Sequence, residues 1–171
     1  MNPQNKYLAE AVLRHLLLGA RVNGIRFGPN LQLLIEKSNK ILLQGQIYLS
    51  LKSRWALWST TPEKLPAHED DIPEVSIGKA LKTLYGLREQ VIIDVQLSEP
   101  SPHLILTLAS GYTFFINGKH DLYECWQVGA SMEKPDEGWM VVSCPGDDIA
   151  VWAPQQFIDV ILTPEVGLML I

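Results

Sequence analysis

Two cysteines in 171 residues exclude the disulfide framework that holds small secreted folds together. A chain of this length needs no such staple: with 47% hydrophobic residues it can bury about 70% of the surface its unfolded form exposes. Cys125 and Cys144 therefore read as reduced thiols packed as small apolar side chains, lying close together on strands of one sheet. Basic residues are also in deficit. Fourteen lysines and arginines stand against nineteen aspartates and glutamates, a formal net charge of −5, which repels nucleic acid and anionic lipid. Neither is expected as a partner. No uncharged apolar run reaches the 18 or so residues of a spanning helix. The opening MNPQNKYLAEAVLRHLLLGARV has Glu10 and Arg14 inside its apolar stretch and no basic cluster ahead of it, so it lacks the shape of an export signal. These absences predict a small, acidic, cytoplasmic protein of bacterial type.

Local signatures of chemistry are missing as well. There is no GxxxxGK[ST] phosphate cradle, no GxGxxG after a strand, no HExxH, no GxSxG elbow and no paired CxxC, so no cofactor or metal is expected and no residue stands out as catalytic. A site can be assembled without local spacing, which lowers the case for an enzyme but does not close it. Three constellations merit weighing. His68-Glu69-Asp70-Asp71 offers ligands for a hard cation, but without EF-hand spacing or its glycine it reads as a solvated acidic loop. His120, Asp121, Glu124 and Cys125 would place Cys and His on opposite faces of a strand. Cys144-Pro145-Gly146-Asp147-Asp148 sets two carboxylates beside a thiol, which raises its pKa, the wrong direction for a nucleophile.

What is present is a pattern written twice. NLQLLIEKSNKILLQG, from Asn30 to Gly45, returns as HLILTLASGYTFFING, from His103 to Gly118. An offset of 73 sets Leu31 on Leu104, Leu33 on Leu106, Ile35 on Leu108, Ile41 on Phe114, Gly45 on Gly118 and Leu49 on Leu122. Each copy alternates like a half-buried strand, turns through small polar residues or Gly, and returns through a denser apolar arm. A helix precedes each: Tyr7 to Leu18, stopped by Gly19, and a helix capped by Ser76 with the stripe Ile77, Ala80, Leu81, Leu84, stopped by Gly86. A strand follows each helix, Arg21 to Phe27 and Gln90 to Leu97. The copies close on strands Ile47 to Leu51, with an extension to Trp58 left open, and Leu122 to Val128, bringing Trp55 and Trp126 near each other in the two frames.

The predicted fold is α+β and mainly antiparallel β: two helix-plus-β-meander repeats related by pseudo-twofold symmetry, with an extra C-terminal hairpin. A single compact domain, 1–171, is expected, with halves at about 5–58 and 76–128 and an extension at 139–171. The joining loop 60–74, TTPEKLPAHEDDIPE, holds three prolines and six charges, so neither ladder nor helix is expected there and few contacts should cross it. In the extension, Trp139 to Cys144 and Ile149 to Trp152 read as a hairpin. The chain could start a helix at Pro154, or Ile158 to Leu162 could form a strand instead, and the apolar tail Val166 to Ile171 requires burial.

Tryptophan is the most informative residue type. Trp55, Trp58, Trp126, Trp139 and Trp152 all fall on or beside strands. Most read as core or edge packing, and any exposed together would mark an interaction surface. The function this favours is a non-catalytic protein-protein interaction or regulatory module, docking a protein partner or a second copy of itself. The alternative is a small-molecule-binding protein, with or without chemistry, whose pocket lies between the repeats.

Overall fold

The structure, a computed structural model, describes residues 1–38, 45–130 and 137–163. They form three α-helices and ten strands, all strand pairs antiparallel. Helix α1 spans Pro3–Leu17. It starts earlier than its apolar periodicity suggests because the Asn2 side chain accepts from the Gln4 N–H at 2.8 Å and Pro3 suits the first turn, where its missing donor is not needed. Ala9, Val12, Leu13, Leu16 and Leu17 form its buried stripe. Helix α2, Ile77–Tyr85, is capped by Ser76, whose hydroxyl accepts from the Lys79 N–H at 3.3 Å. Helix α3, Gln155–Leu162, decides between helix and strand for that segment in favour of a helix, begun through Pro154.

The strands are β1 Arg21–Arg26, β2 Leu31–Glu36, β3 Ile47–Leu51, β4 Trp55–Trp58, β5 Ile92–Leu97, β6 Leu104–Leu108, β7 Thr113–Ile116, β8 Trp126–Ala130, β9 Trp139–Cys144 and β10 Asp148–Trp152. A six-stranded sheet has the order β1-β2-β3-β8-β9-β10, and a four-stranded sheet the order β4-β7-β6-β5. Each sheet thus takes a strand from beyond its own meander: β8 joins the first at β3, and β4 joins the second at β7. A continuous strand from Ile47 to Trp58 is corrected accordingly, since the chain leaves one sheet at Leu51 and joins the other at Trp55.

A further correction concerns register. The arm Ile41 to Leu43 lies outside the described residues, and β2 pairs with β3, Leu33 opposite Leu49. Leu106 lies opposite Phe114, so the partners of Leu33 and Leu106 are Leu49 and Phe114, whereas the offset of 73 set Leu49 on Leu122. Leu122 is exposed in a loop, and β8 begins only at Trp126. That loop exists because Asn117 turns the chain back on itself, its side chain donating to the Lys119 carbonyl at 3.0 Å and accepting from the Lys119 N–H at 3.2 Å.

The sheets meet where β1 and β5 begin. Arg21 bridges Val91, and two further pairs of backbone bonds flank that bridge: Gly19 N–H to Ile92 O at 2.8 Å with Ile92 N–H to Ala20 O at 2.9 Å, and Glu89 N–H to Val22 O at 2.8 Å with Val22 N–H to Gln90 O at 3.2 Å. A left-handed residue leads the chain into each of these two strands, Gly19 at φ 76° and Glu89 at φ 66°. Glycine takes this conformation freely, whereas a side chain costs about 1–2 kcal/mol. Glu89 makes only long, exposed ion pairs, with Arg21 at 3.8 Å and Arg88 at 3.9 Å, which add little. Glu89→Gly is therefore expected to raise stability by about 0.5–1 kcal/mol. A lower melting temperature in the variant would contradict the left-handed assignment.

One continuous hydrophobic cluster joins α1, both sheets and Phe157 of α3. The loop 60–74 is less free than its composition suggests. It contains a short 3-10 turn, Glu69–Asp71, and buries Ile72. Arg54 holds it, donating from its guanidinium to the Ile72 carbonyl at 3.2 Å. The expectation that few contacts cross this loop is corrected by these bonds. The hairpin β9–β10 forms as expected, turning through Gly146 and Asp147 at positive φ, while the tail from Val166 lies outside the described residues.

Candidate functional site

Two of the three constellations, distant in sequence, converge. His68, Glu69 and Asp70 face Lys119, His120, Asp121 and Leu122 across a cleft of about 420 Å³. The side chains are committed to holding the loops. Glu69 accepts from the Arg54 N–H at 3.0 Å and from the Tyr123 hydroxyl at 2.9 Å. Asp71 accepts from the His68 N–H at 3.0 Å. The His120 ring stacks on Tyr123, and its Nδ1 accepts from the Leu122 N–H at 3.0 Å. Among the described residues no three His, Cys, Asp or Glu side chains are placed to hold a metal ion. The residues from His120 to Cys125 lie in a loop, so the opposite-face argument made for a strand does not apply to them.

Behind this cleft is a group that no sequence motif marks. His103 is buried against Phe115, and its Nδ1 accepts from the Gly118 N–H at 2.9 Å. A neutral imidazole wired this way carries its proton on Nε2. Ser101 and Asp147 are neighbours, but the Ser101 hydroxyl donates to Asp147 Oδ1 at 2.6 Å. Serine, histidine and aspartate are all present, yet the serine proton is given to the carboxylate and the histidine has no free acceptor for it. This arrangement does not activate a nucleophile.

Burial pushes the His103 pKa down to about 4, with Lys119 and His68 acting in the same direction and Asp147 opposing. The folded value lies below the ordinary value of 6.5. The unfolded chain therefore takes up the proton first as pH falls, and the stability this neutral ring contributes is complete above about 6.5 and lost on the way to about 4. In denaturant titrations the stability difference between the parent and His103→Gln is expected to shrink across that window. A difference independent of pH would contradict it.

The thiols are similarly unreactive. Burial pushes Cys125 up to about 11, and Cys144 is raised by burial and by Glu124 and Asp148, so neither is a thiolate near neutrality. Both are free. Cys125 lies just ahead of β8 and Cys144 ends the neighbouring β9, but the Ser143 hydroxyl accepts the Cys125 N–H at 3.0 Å, and the sulfurs have different partners, Asn117 for Cys125 and the Val142 carbonyl for Cys144.

The five tryptophans do not form one surface. Trp126 and Trp139 are buried, which removes them from any interaction face. Trp126 lies in the middle of the six-stranded sheet opposite Leu51 and donates its indole N–H to the Pro102 carbonyl at 2.9 Å, while Trp139 packs between His15 and Phe157. Trp55 and Trp58 are half-buried against Phe114 and Phe115. Only Trp152, 52% exposed on β10, faces solvent substantially.

The open surface lies elsewhere, around α2. Helix α1 is covered by β5, β9, β10 and α3, whereas among the described residues the principal contact of α2 is with β1. The cause is topological: β9 and β10 extend the six-stranded sheet past β8 and lead into α3, and no described strand extends the other sheet past β4. Of the predicted stripe only Ala80 and Leu84 are buried, Leu81 is half-exposed and Ile77 is exposed. A groove flanks the helix on each side. One, of about 520 Å³, is lined by Val22, Ile25, Phe27, Leu81, Tyr85 and Arg88 among others. The second, of about 630 Å³, has Leu57, Leu87, Leu108 and Tyr112 with Lys79 and Thr83. Lys82 borders both. Phe27 is 69% and Tyr85 66% exposed, large aromatic areas to leave in water. One sequence signal was available: Ser76 to Arg88 carries two lysines and one arginine, and no carboxylate at all, in a chain of net charge −5.

No family model matches this sequence, and neither a curated protein nor a solved structure is significantly similar to it.

Proposed function

We propose that this chain is a non-catalytic protein-interaction module that docks a segment of a partner protein across α2. The observation that carries this reading is the pairing of two apolar grooves with exposed Phe27 and Tyr85 on a helix that the fold leaves partly uncovered. The wiring of His103 and the raised thiols support a role without catalysis. No helix among the described residues is long and apolar enough to cross a membrane. Free thiols agree with a cytoplasmic setting.

The same reading treats the chain as two related halves that have exchanged their last strands. Its support is the pairing pattern. The β1–β2 ladder is interrupted between Val22 and Gly24 and the β5–β6 ladder between Ile92 and Asp94, each pair 70 positions apart (22 to 92, 24 to 94). Arg21 and Val91 bridge each other, and the left-handed residues are Gly19 and Glu89. Trp55 opposes Ile116 and Trp126 opposes Leu51. Burial differs in places, with Leu31 half-exposed where Leu104 is buried. On this view the groove between β1 and α2 lies at the junction of the halves, where a small-molecule pocket is the rival occupant.

Selection of random short peptides on the parent protein, followed by binding to a Phe27→Ser/Tyr85→Ser variant, tests the docking reading. Both side chains are exposed, so the fold should survive their replacement. Peptides that lose binding in the variant support it. Peptides bound equally by both proteins, or a screen in which only metabolites raise the melting temperature of the parent, would overturn it.

A further inference from the structure

We infer that the segment docked over α2 is acidic, with aromatic or aliphatic anchors spaced among its carboxylates. This rests on the docking reading above and deepens it. The charged residues lining both grooves are all basic: Lys82 and Arg88 in one, Lys79 and Lys82 in the other. Lys79 and Lys82 form no ion pair among the described residues, and Arg88 has only Glu89, at 3.9 Å. That carboxylate is in turn shared between Arg21 and Arg88. Elsewhere many of the chain's cations are already matched: Arg54 with Asp70 and Glu74, Lys52 with Glu124, Arg14 with Asp94 and Lys6 with Glu99. The face around α2 is thus a local basic field on an acidic molecule, and it surrounds the exposed apolar anchor sites.

An acidic segment complements that field, and its apolar residues cover the apolar walls of the grooves. Lys82 borders both grooves, so one segment crossing α2 engages both sides of the helix and is steered to it by charge. A flat anionic bilayer fits less well. It would meet the net charge of −5 along its whole plane, whereas a peptide meets only the basic patch.

Three synthetic peptide pools test the inference. They share randomised Trp, Phe and Leu anchors and differ only in carrying Glu, Gln or Lys at the intervening positions. By fluorescence polarisation the Glu pool is expected to bind about tenfold more tightly than the Gln pool, from two or three exposed charge pairs. The advantage should fade as salt is raised. In a Lys79→Glu/Lys82→Glu variant the order of the Glu and Lys pools should reverse. If the Gln pool binds as well as the Glu pool and still depends on Phe27 and Tyr85, the acidic preference is wrong while the docking face stands. If no pool responds to Phe27→Ser/Tyr85→Ser, both ideas fall. Sedimentation showing a dimer that this same variant dissociates would assign the face to a second copy and overturn the inference.

Discussion

Replacing Gly118 by alanine is expected to leave no folded protein. A Cβ built there overlaps the Pro102 carbonyl outright and comes within 2.8 Å of the His103 backbone nitrogen. These are backbone atoms and cannot swing aside as a side-chain tip would. Two further interactions fix them: the Pro102 carbonyl accepts the Trp126 indole N–H at 2.9 Å, and the His103 ring accepts the Gly118 N–H at 2.9 Å. Relieving the overlap therefore displaces a buried indole and a buried imidazole together, and a loss of at least about 4 kcal/mol is expected. Gly78→Ala is the control. It lies in α2 with nothing within 4 Å of the added Cβ, and alanine favours a helix by about 1 kcal/mol over glycine. Soluble expression and thermal melts should separate the two variants; a Gly118→Ala protein melting like the parent would contradict the close approach of the two loops.

Leu33→Asp and Leu106→Asp are expected to be comparably damaging. The two leucines are 1% and 2% exposed, on β2 and β6, facing Leu49 and Phe114 across their ladders. An unpaired carboxylate there finds no hydrogen-bond donor within the apolar cluster, and each variant should lose at least about 4 kcal/mol. Leu→Met at either site keeps volume and apolarity and should cost less than about 1.5 kcal/mol. Equal tolerance of Asp and Met by urea titration would place these strands with the wrong face inward.

Much of the local structure was legible in the sequence because it depends on neighbours along the chain. Ser76 caps α2, Gly19 ends α1, and alternation marks β2 and β6. The order of strands in the two sheets was not legible. Alternation says which face of a strand is buried but not which strand lies beside it, so the offset that aligned Leu33 with Leu106 carried Leu49 to Leu122, whereas the partners of Leu33 and Leu106 are Leu49 and Phe114. Leu122 to Val128 reads as one strand in the sequence, yet its first four residues lie in a loop, and only Asn117 and Gly118 betray that loop. The uncovered state of α2 was hidden for a related reason: its periodicity implies a buried stripe, but the cover that α1 receives from β9, β10 and α3 has no described equivalent on the other sheet. His103 sits in no motif, and its burial follows from long-range packing against Phe115. Residue type alone does not separate Trp126, in mid-sheet, from Trp152, on an edge, so the tryptophans could not be sorted from the sequence.

Whether α2 and the strand beside it receive a partner segment is tested most directly by amide chemical-shift mapping of the labelled protein, titrated with a peptide from the Glu pool. The perturbed amides should cluster from Val22 to Phe27, from Ile77 to Gln90 and around Leu57 and Tyr112. Perturbations confined to His68 through Asp71 and Lys119 through Tyr123 would instead place the binding surface at the polar cleft and contradict the docking of a segment over α2.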